Sequence, residues 1–358
     1  MLSRIEIIEA RHLDADHCAA WNAIRSSSHE FDSPYFHPEF TKAVGAVRSD
    51  VFVAVIERYG QPVAFFPFQR SLFGQGRPVG GRLNDSHGIV ASADFNCDWR
   101  VLLRACGLKK VEFSHLVGRQ STFDRGVVSE MRVRSLDLKD GYDAYRARIQ
   151  DRGCRTVKQS AQKLRKMVRE LGPVHFTLCG SPDGILSQLM SWKSEQYTRT
   201  GYTDIFSFGW TKELARRLVQ SEGDLRGCVS GLFAGDRLVA AHFGIVCGGV
   251  LHYWFPSYNT RYRRYSPGCL LLLETAKRCE ELGIHRIDLG KDDTRFKHEF
   301  GDRVGYVREG VLRSTAASVA FHRAGKAIGH FIKSSSIGRP ARNTAALLRP
   351  IKDRMSFR

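Results

Sequence analysis

The 358-residue sequence contains no apolar run long enough to cross a bilayer. Its longest, such as 51–56 and 269–273, fall far short of the roughly 18 residues that a spanning helix needs. A secretion signal is missing as well. The opening MLSRIEIIEARHLDAD alternates like a strand and carries charge where the apolar core of a signal would lie. The expected location is the cytoplasm, with peripheral contact at the inner face of a membrane left open. Paired cysteines are also absent: the nine cysteines are scattered from Cys18 to Cys279 without a C-x-x-C spacing. Neither a disulfide framework nor a metal site is expected. Acidic residues are scarce, 37 against 55 lysines and arginines, for a net charge of +18. The deficit is sharpest over residues 311–358, which hold ten lysines and arginines and one acid, Asp353. Such charge favours anionic partners without choosing among phosphorylated cofactors, nucleic acid, acidic lipid and acidic glycan. No helix-turn-helix signature or ordered aromatic-basic motif accompanies it, which argues against a nucleic-acid regulator.

What is present is a globular composition, 42% hydrophobic, in a chain long enough for two domains of about 150 residues. The order of expected elements repeats at an offset of about 170–176 residues. In the first half, strand 5–8, helices 15–26 and 38–46 and the hairpin VAVIERYGQPVAFFPF precede a helix at 97–106 and the strand KKVEFSHL. In the second half, strand 174–179, helices 183–198 and 211–221 and the hairpin GLFAGDRLVAAHFGI precede a strand, a helix and the strand HRIDLG. Two copies of one α/β domain are expected, with a ligand in the cleft between them. A basic helix at 155–171, carrying Arg155, Lys158, Lys163, Arg165, Lys166 and Arg169, joins them ahead of Pro173. Beyond about residue 314, the segments VAFHRAGKAIGHFIK and TAALLRPIKDRM are basic and amphipathic. They suit a membrane interface or a protein surface.

The most informative block is GGVLHYWFPSYNTRYRRYSPGCLLLLETAKRCEELGIHRIDLG, residues 248–290. Its aromatic-rich start predicts a strand, and Leu270, Leu271, Leu273, Ala276 and Leu282 at helical spacing predict a helix. Ser266 is a natural N-cap and Pro267 a natural first helical residue. Such a helix aims free N–H groups at the preceding loop, where Arg261, Arg263 and Arg264 also crowd. The combination suits phosphate.

Three passages carry a family resemblance: FDSPYFHPEF at 31–40, GGRLNDSHGIV at 80–90, and the run from Tyr253 through YSPGCLLLLETAKRCEELGIHRIDLGKDDTRFKHEF to Phe300. In them the chain resembles GNAT acyltransferases, more narrowly the CelD/BcsL type linked to cellulose and other polysaccharide biosynthesis, related to tandem FemAB-like transferases. The resemblance covers about residues 20–312. It implies a mixed α/β fold of two tandem GNAT-like domains sharing a cleft. These are a degenerate domain at 1–150, a linker helix at 151–172, an acyltransferase domain at 173–314 and a basic tail at 315–358. The family's aspartate, glycine, acid, aromatic, lysine and phenylalanine fall on Asp288, Gly290, Asp293, Phe296, Lys297 and Phe300. The pattern is incomplete: the loop offers only Gly268 where the superfamily is richer in glycine, Asp292 replaces a glycine, and Ser86 stands where an aromatic is common.

The implied activity is N-acyl transfer from acetyl-CoA or another acyl-CoA, without a metal, to an amino sugar carried as a nucleotide- or lipid-linked precursor of an exported glycan. Arg263, Arg264, Tyr265, Ser266 and Gly268 are the expected cofactor-binding residues. Acyl transfer to an amine also needs a proton acceptor. His242, Tyr253 and Asp288 are the catalytic candidates, and Asp85, His87, Asp293 and Lys297 the candidate acceptor contacts. Core packing competes with function for His242 and Tyr253, turn formation for Asp85, and a surface ion pair for Asp293 with Lys297. Two alternatives remain: aminoacyl-tRNA as donor, and a non-catalytic accessory protein docking through residues 316–358 on a membrane or a polysaccharide synthase.

Overall fold

A computed structural model of the protein describes residues 4–92, 94–180, 184–291 and 294–314, with Lys291 described by its backbone alone. The first half runs β1 (Arg4–Glu9), α1 (Ala15–Ser26), α2 (Pro38–Val47), β2 (Val51–Arg58), β3 (Gln61–Arg70), β4 (Gln75–Arg77), β5 (Val90–Ala91), α3 (Trp99–Ala105), β6 (Lys110–Val117) and β7 (Val127–Asp137). Helices α4 (Gly141–Asp151) and α5 (Thr156–Leu171) lead to the second half. This runs β8 (Val174–Thr177), α6 (Ile185–Thr200), α7 (Gly209–Val219), β9 (Arg226–Ala234), β10 (Arg237–Cys247), β11 (Val250–Tyr258), α8 (Pro267–Arg278), β12 (Arg286–Lys291), α9 (Arg295–Phe300) and β13 (Arg303–Arg313). Among the described residues no helix is long and apolar enough to cross a membrane.

The fold is mixed α/β, and its strands form one sheet in the order β1-β2-β3-β4-β6-β13-β7-β12-β11-β10-β9-β8, with β5 beside β3. The order is close to a palindrome, because the halves repeat the same elements and each inserts its closing strand into the other. β13 pairs with β6, and β7 pairs with β12. Pairing across halves therefore fixes a polar seam at the middle of the sheet.

Strand alternation assigns the two faces of the second half. Ala241, Phe243 and Ile245 of β10 pack with Leu189 of α6 and Leu214 and Leu218 of α7. Val239 and Ala240 pack with Leu270 and Leu271 of α8 and Met167 of α5. In the first half, Trp21, Phe65, Phe66 and Phe68 are fully buried, each stabilising by about 1.5–3 kcal/mol. The basic helix is amphipathic as expected, burying Val157, Ser160 and Met167 and leaving most of its cations to solvent.

Two expectations fail here. Cys179 and Cys228 are joined by a disulfide across 49 residues, with Cα atoms 4.6 Å apart. The pairing arises because β8 and β9 are antiparallel neighbours, which spacing in the sequence does not reveal. Ser266 occupies the N-cap position of α8 but makes no side-chain cap: it sits in the left-handed region at φ 51°, and its hydroxyl is taken by Lys163 Nζ of α5 at 2.6 Å.

Candidate functional site

β11 and β12 are parallel neighbours over only three positions, Val250 with Arg286 to His252 with Asp288. Beyond them β11 runs on to Tyr258 without β12, so the ladder forks at His252 and Asp288. Gly290, just past the fork, has φ +72°, and a Cβ there would fall 2.5 Å from Asp85 Oδ2. Only glycine lets the Asp85 carboxylate lie against β12.

Asp85 reaches this point because its loop is built rigidly. Gly80 and Gly81 both have positive φ, Asn84 Nδ2 donates to Val79 O, and Ser86 N donates to Asn84 Oδ1 in an Asx turn. Leu83 O accepts from both Tyr35 Oη at 2.9 Å and Trp254 Nε1 at 3.0 Å, pinning the loop to both halves. The carboxylate then stands between two imidazoles, 3.2 Å from His115 Nε2 and 3.3 Å from His252 Nε2. Burial raises the Asp85 carboxyl, but His115, His252 and the Lys297 charge outweigh it and hold the group well below the usual carboxylate range. Tyr35 packs edge-on against His252 at 4.9 Å. Its hydroxyl is pushed well above its ordinary value by burial and by the charges of Asp85 and Asp288.

Two cavities meet at Asp85. One, of about 200 Å³, has a mixed lining in which Asp85, His252, Arg286, Asp288 and Arg303 face Val133 and Val307. Asp288 accepts from Arg286 Nε at 3.1 Å, and Arg286 also approaches Asp32 at 3.5 Å. The Ser33 hydroxyl is buried with no partner among the described residues. The other cavity, of about 210 Å³, is aromatic, lined by Tyr197, Tyr202, Trp254 and Phe255 beside Arg82 and Asp85. Beside Tyr197, the Lys193 ammonium donates to Pro256 O at 2.8 Å, and burial lowers its pKa to about 8.

Across the sheet, the loop before α8 keeps part of its expected character. Arg261 and Arg263 are exposed and form no ion pair among the described residues. Pro267 has no N–H, and the N–H groups of Cys269 and Leu270 both return to Ser266 O. The Gly268 N–H is left as the open donor of the first turn, with only the Tyr258 ring within 4 Å of where a Cβ would be. A coenzyme A diphosphate fits this donor set: one open N–H, exposed guanidiniums and the Lys163 ammonium at one helix start. Tyr265 departs from expectation. It is fully buried, and its hydroxyl donates to Glu170 Oε2 and accepts from Arg264 Nη2, both at 2.6 Å. It anchors the loop on α5 rather than facing a ligand.

The other candidates separate. Asp85, Asp288 and the charge of Lys297 converge on the fork. His242 does not border the cleft: it is fully buried beneath α8, its ring stacked on Tyr253 at 3.9 Å. Both its nitrogens and the Tyr253 hydroxyl lack partners among the described residues. Burial lowers the His242 pKa well below its ordinary value and raises the Tyr253 hydroxyl far above its own. His87 points away into an aromatic cluster with Phe66 and Phe123, and its pKa falls to about 3 through burial and the His115 charge. Asp293 and the tail from residue 315 lie outside the described residues. The residues missed were His252, His115, Tyr35 and Arg286. His252 had a readable signal, since it alternates with Tyr253 and so must face the other side of β11.

Residues 154–298 match the acetyltransferase (GNAT) domain, so the chain carries an acyltransferase domain. No curated protein sequence matches the chain. Among solved structures it is similar to FemX, at TM-score 0.52 and 9% identity over 88% of this chain and 99% of that one. It is also similar to the C-terminal domain of a putative lysylphosphatidylglycerol synthetase from Agrobacterium fabrum, at TM-score 0.51 and 12% identity over 85% and 94%. A tandem GNAT protein from the clavulanic acid biosynthesis pathway reaches TM-score 0.50 and 9% identity over 88% and 99%. At these identities the likeness is one of fold, and it spans both halves.

Proposed function

We propose that the protein is an acyl-CoA-dependent N-acyltransferase, with the donor's diphosphate at the start of α8, its thioester at the fork and the acceptor amine in the cavity between Asp85 and Asp288. The observation that carries the reading is that β11 leads from the Asp85, His115 and His252 cluster at the fork to the phosphate-suited start of α8 on the other face of the sheet. The amine nitrogen attacks the thioester carbonyl, the C–S bond breaks and a thiolate leaves. The proton shed by the amine passes to the His252 imidazole, which Asp85 orients at 3.3 Å, and from it to the departing thiolate, so that the products are the amide and the thiol. Asp288 and Arg286 position the acceptor.

The acceptor class, an amino sugar of a nucleotide- or lipid-linked glycan precursor, and the narrower CelD/BcsL kinship are proposed from the passages 31–40, 80–90 and 253–300. Division into units at 1–150, 173–314 and a tail from 315, and a cytoplasmic location with the tail at a membrane or synthase, belong to the same proposal.

Calorimetry with acetyl-CoA and longer acyl-CoAs tests the donor, with Gly268→Trp as the control. Micromolar binding abolished by Gly268→Trp is expected, because the indole would cover the open N–H. Absence of binding by every thioester would sink the reading and direct the search to aminoacyl-tRNA or to an accessory role.

A further inference from the structure

Among the described residues, the two most exposed large apolar side chains apart from Tyr59 are adjacent in sequence: Leu72 is 101% and Phe73 76% exposed. They are the central residues of the turn joining β3 to β4. Gly74 N donates to Ser71 O, Ser71 N donates to Gln75 O, and Gln75 N donates to Ser71 Oγ. Gly74 closes the turn at φ +72°. A turn braced by three hydrogen bonds holds both side chains outward.

The surroundings of the turn are cationic. Lys109 N donates to Gly74 O at 2.8 Å, and the exposed Lys109 and Arg104 form no ion pair among the described residues. At the same edge β13 ends: Ser314 N donates to Lys109 O at 2.9 Å. The following residues, 315–358, hold nine lysines and arginines and one acid, so the most basic stretch of the chain departs one residue pair away from the apolar tip. An apolar tip ringed by cations matches the interface of an anionic bilayer, with hydrocarbon for the side chains and negative headgroups for the lysines.

We infer that the β3–β4 turn is a membrane contact, in which Leu72 and Phe73 enter the interface of a bilayer rich in anionic lipid while Lys109 and Arg104 face its headgroups. The inference is independent of the acyl-transfer reading.

The test uses the full chain and vesicles of phosphatidylglycerol or phosphatidylcholine. Wild type should sediment with the anionic vesicles, weakly with neutral ones, and less as salt rises. The double substitution Leu72→Ser with Phe73→Ser should weaken that partition at least tenfold without changing the thermal midpoint. In Phe73→Trp, the added indole's emission, taken as the difference from wild type, should shift blue on vesicle addition and be quenched by acyl-brominated lipid. No vesicle binding by wild type, equal binding by the double variant, or an unquenched indole would each overturn the inference. Emission already blue before lipid is added would assign the turn to the chain's own tail. Loss of self-association in the double variant, with vesicle binding intact, would assign it to a second copy.

Discussion

Two histidines on neighbouring strands occupy opposite faces of the sheet and opposite chemical situations. His242 on β10 is fully buried and His252 on β11 is 3% exposed, so burial does not distinguish them. His252 has a carboxylate at 3.3 Å and a cavity beside it. His242 has a stacked tyrosine and no hydrogen-bond partner among the described residues. An imidazole can relay a proton during turnover only if a partner orients it and the proton can reach the reacting atoms, and Asp85 and the adjoining cavity offer this to His252 and not to His242. Position on a strand near a cleft is therefore insufficient to nominate a base; the partner across the gap decides.

The largest effect that sharpens this comparison is expected for Asp85→Asn. The substitution keeps shape and removes the charge that orients His252, so thiol release from acetyl-CoA in the presence of an amine acceptor should fall about 10²–10⁴-fold. Acyl-CoA binding by calorimetry should stay unchanged, because the start of α8, the proposed diphosphate site, lies on the other face of the sheet. A fall of less than threefold would remove Asp85 and His252 from the chemistry.

The elements were largely legible in the sequence because strand alternation and helical spacing are local signals: α1 spans the expected residues 15–26, and the basic helix differs by a single residue at its start. The repeat was legible because both halves carry the same order of elements. The exchange of closing strands was not, since β7 and β13 were not among the expected elements and alternation within a strand does not name its neighbour. Asp85 was readable as a loop carboxylate between turn-forming residues, but its partners were not: His115 and His252 come from strands 30 and 167 residues away in sequence. Tyr265 and Ser266 show the converse limit. Both lie in the expected motif, yet the tertiary contacts of α5 through Lys163 and Glu170 determine where they point.

A smaller effect is expected from His87, another buried histidine, whose Nε2 lacks a partner among the described residues. Its pKa is lowered to about 3, so below about pH 6.5 the unfolded chain binds a proton that the folded chain refuses. Stability is therefore present above that pH and lost as pH falls towards 3. The slope approaches about 1.4 kcal/mol per pH unit. His87→Phe, set between Phe66 and Phe123, should make the drop in stability from pH 7 to pH 5 smaller by about 2 kcal/mol. Denaturant unfolding at the two pH values measures it, and an unchanged drop would show that His87 is not the group resisting protonation.

The smallest effect is expected at His242, a catalytic candidate for which core packing competed with function. His242→Leu replaces a neutral ring that has no hydrogen-bond partner among the described residues with an apolar side chain of similar bulk, and leaves Asp85, His252 and the α8 loop in place. Turnover should stay within threefold of wild type, and stability should be unchanged or higher, because an unsatisfied buried polar group is removed. The pH profile supplies the second readout: a base at His252 leaves the profile of His242→Leu superimposable on wild type. A large loss of turnover with a displaced profile, in a folded variant, would transfer the proton to the α8 side of the sheet and reverse the assignment of the two faces.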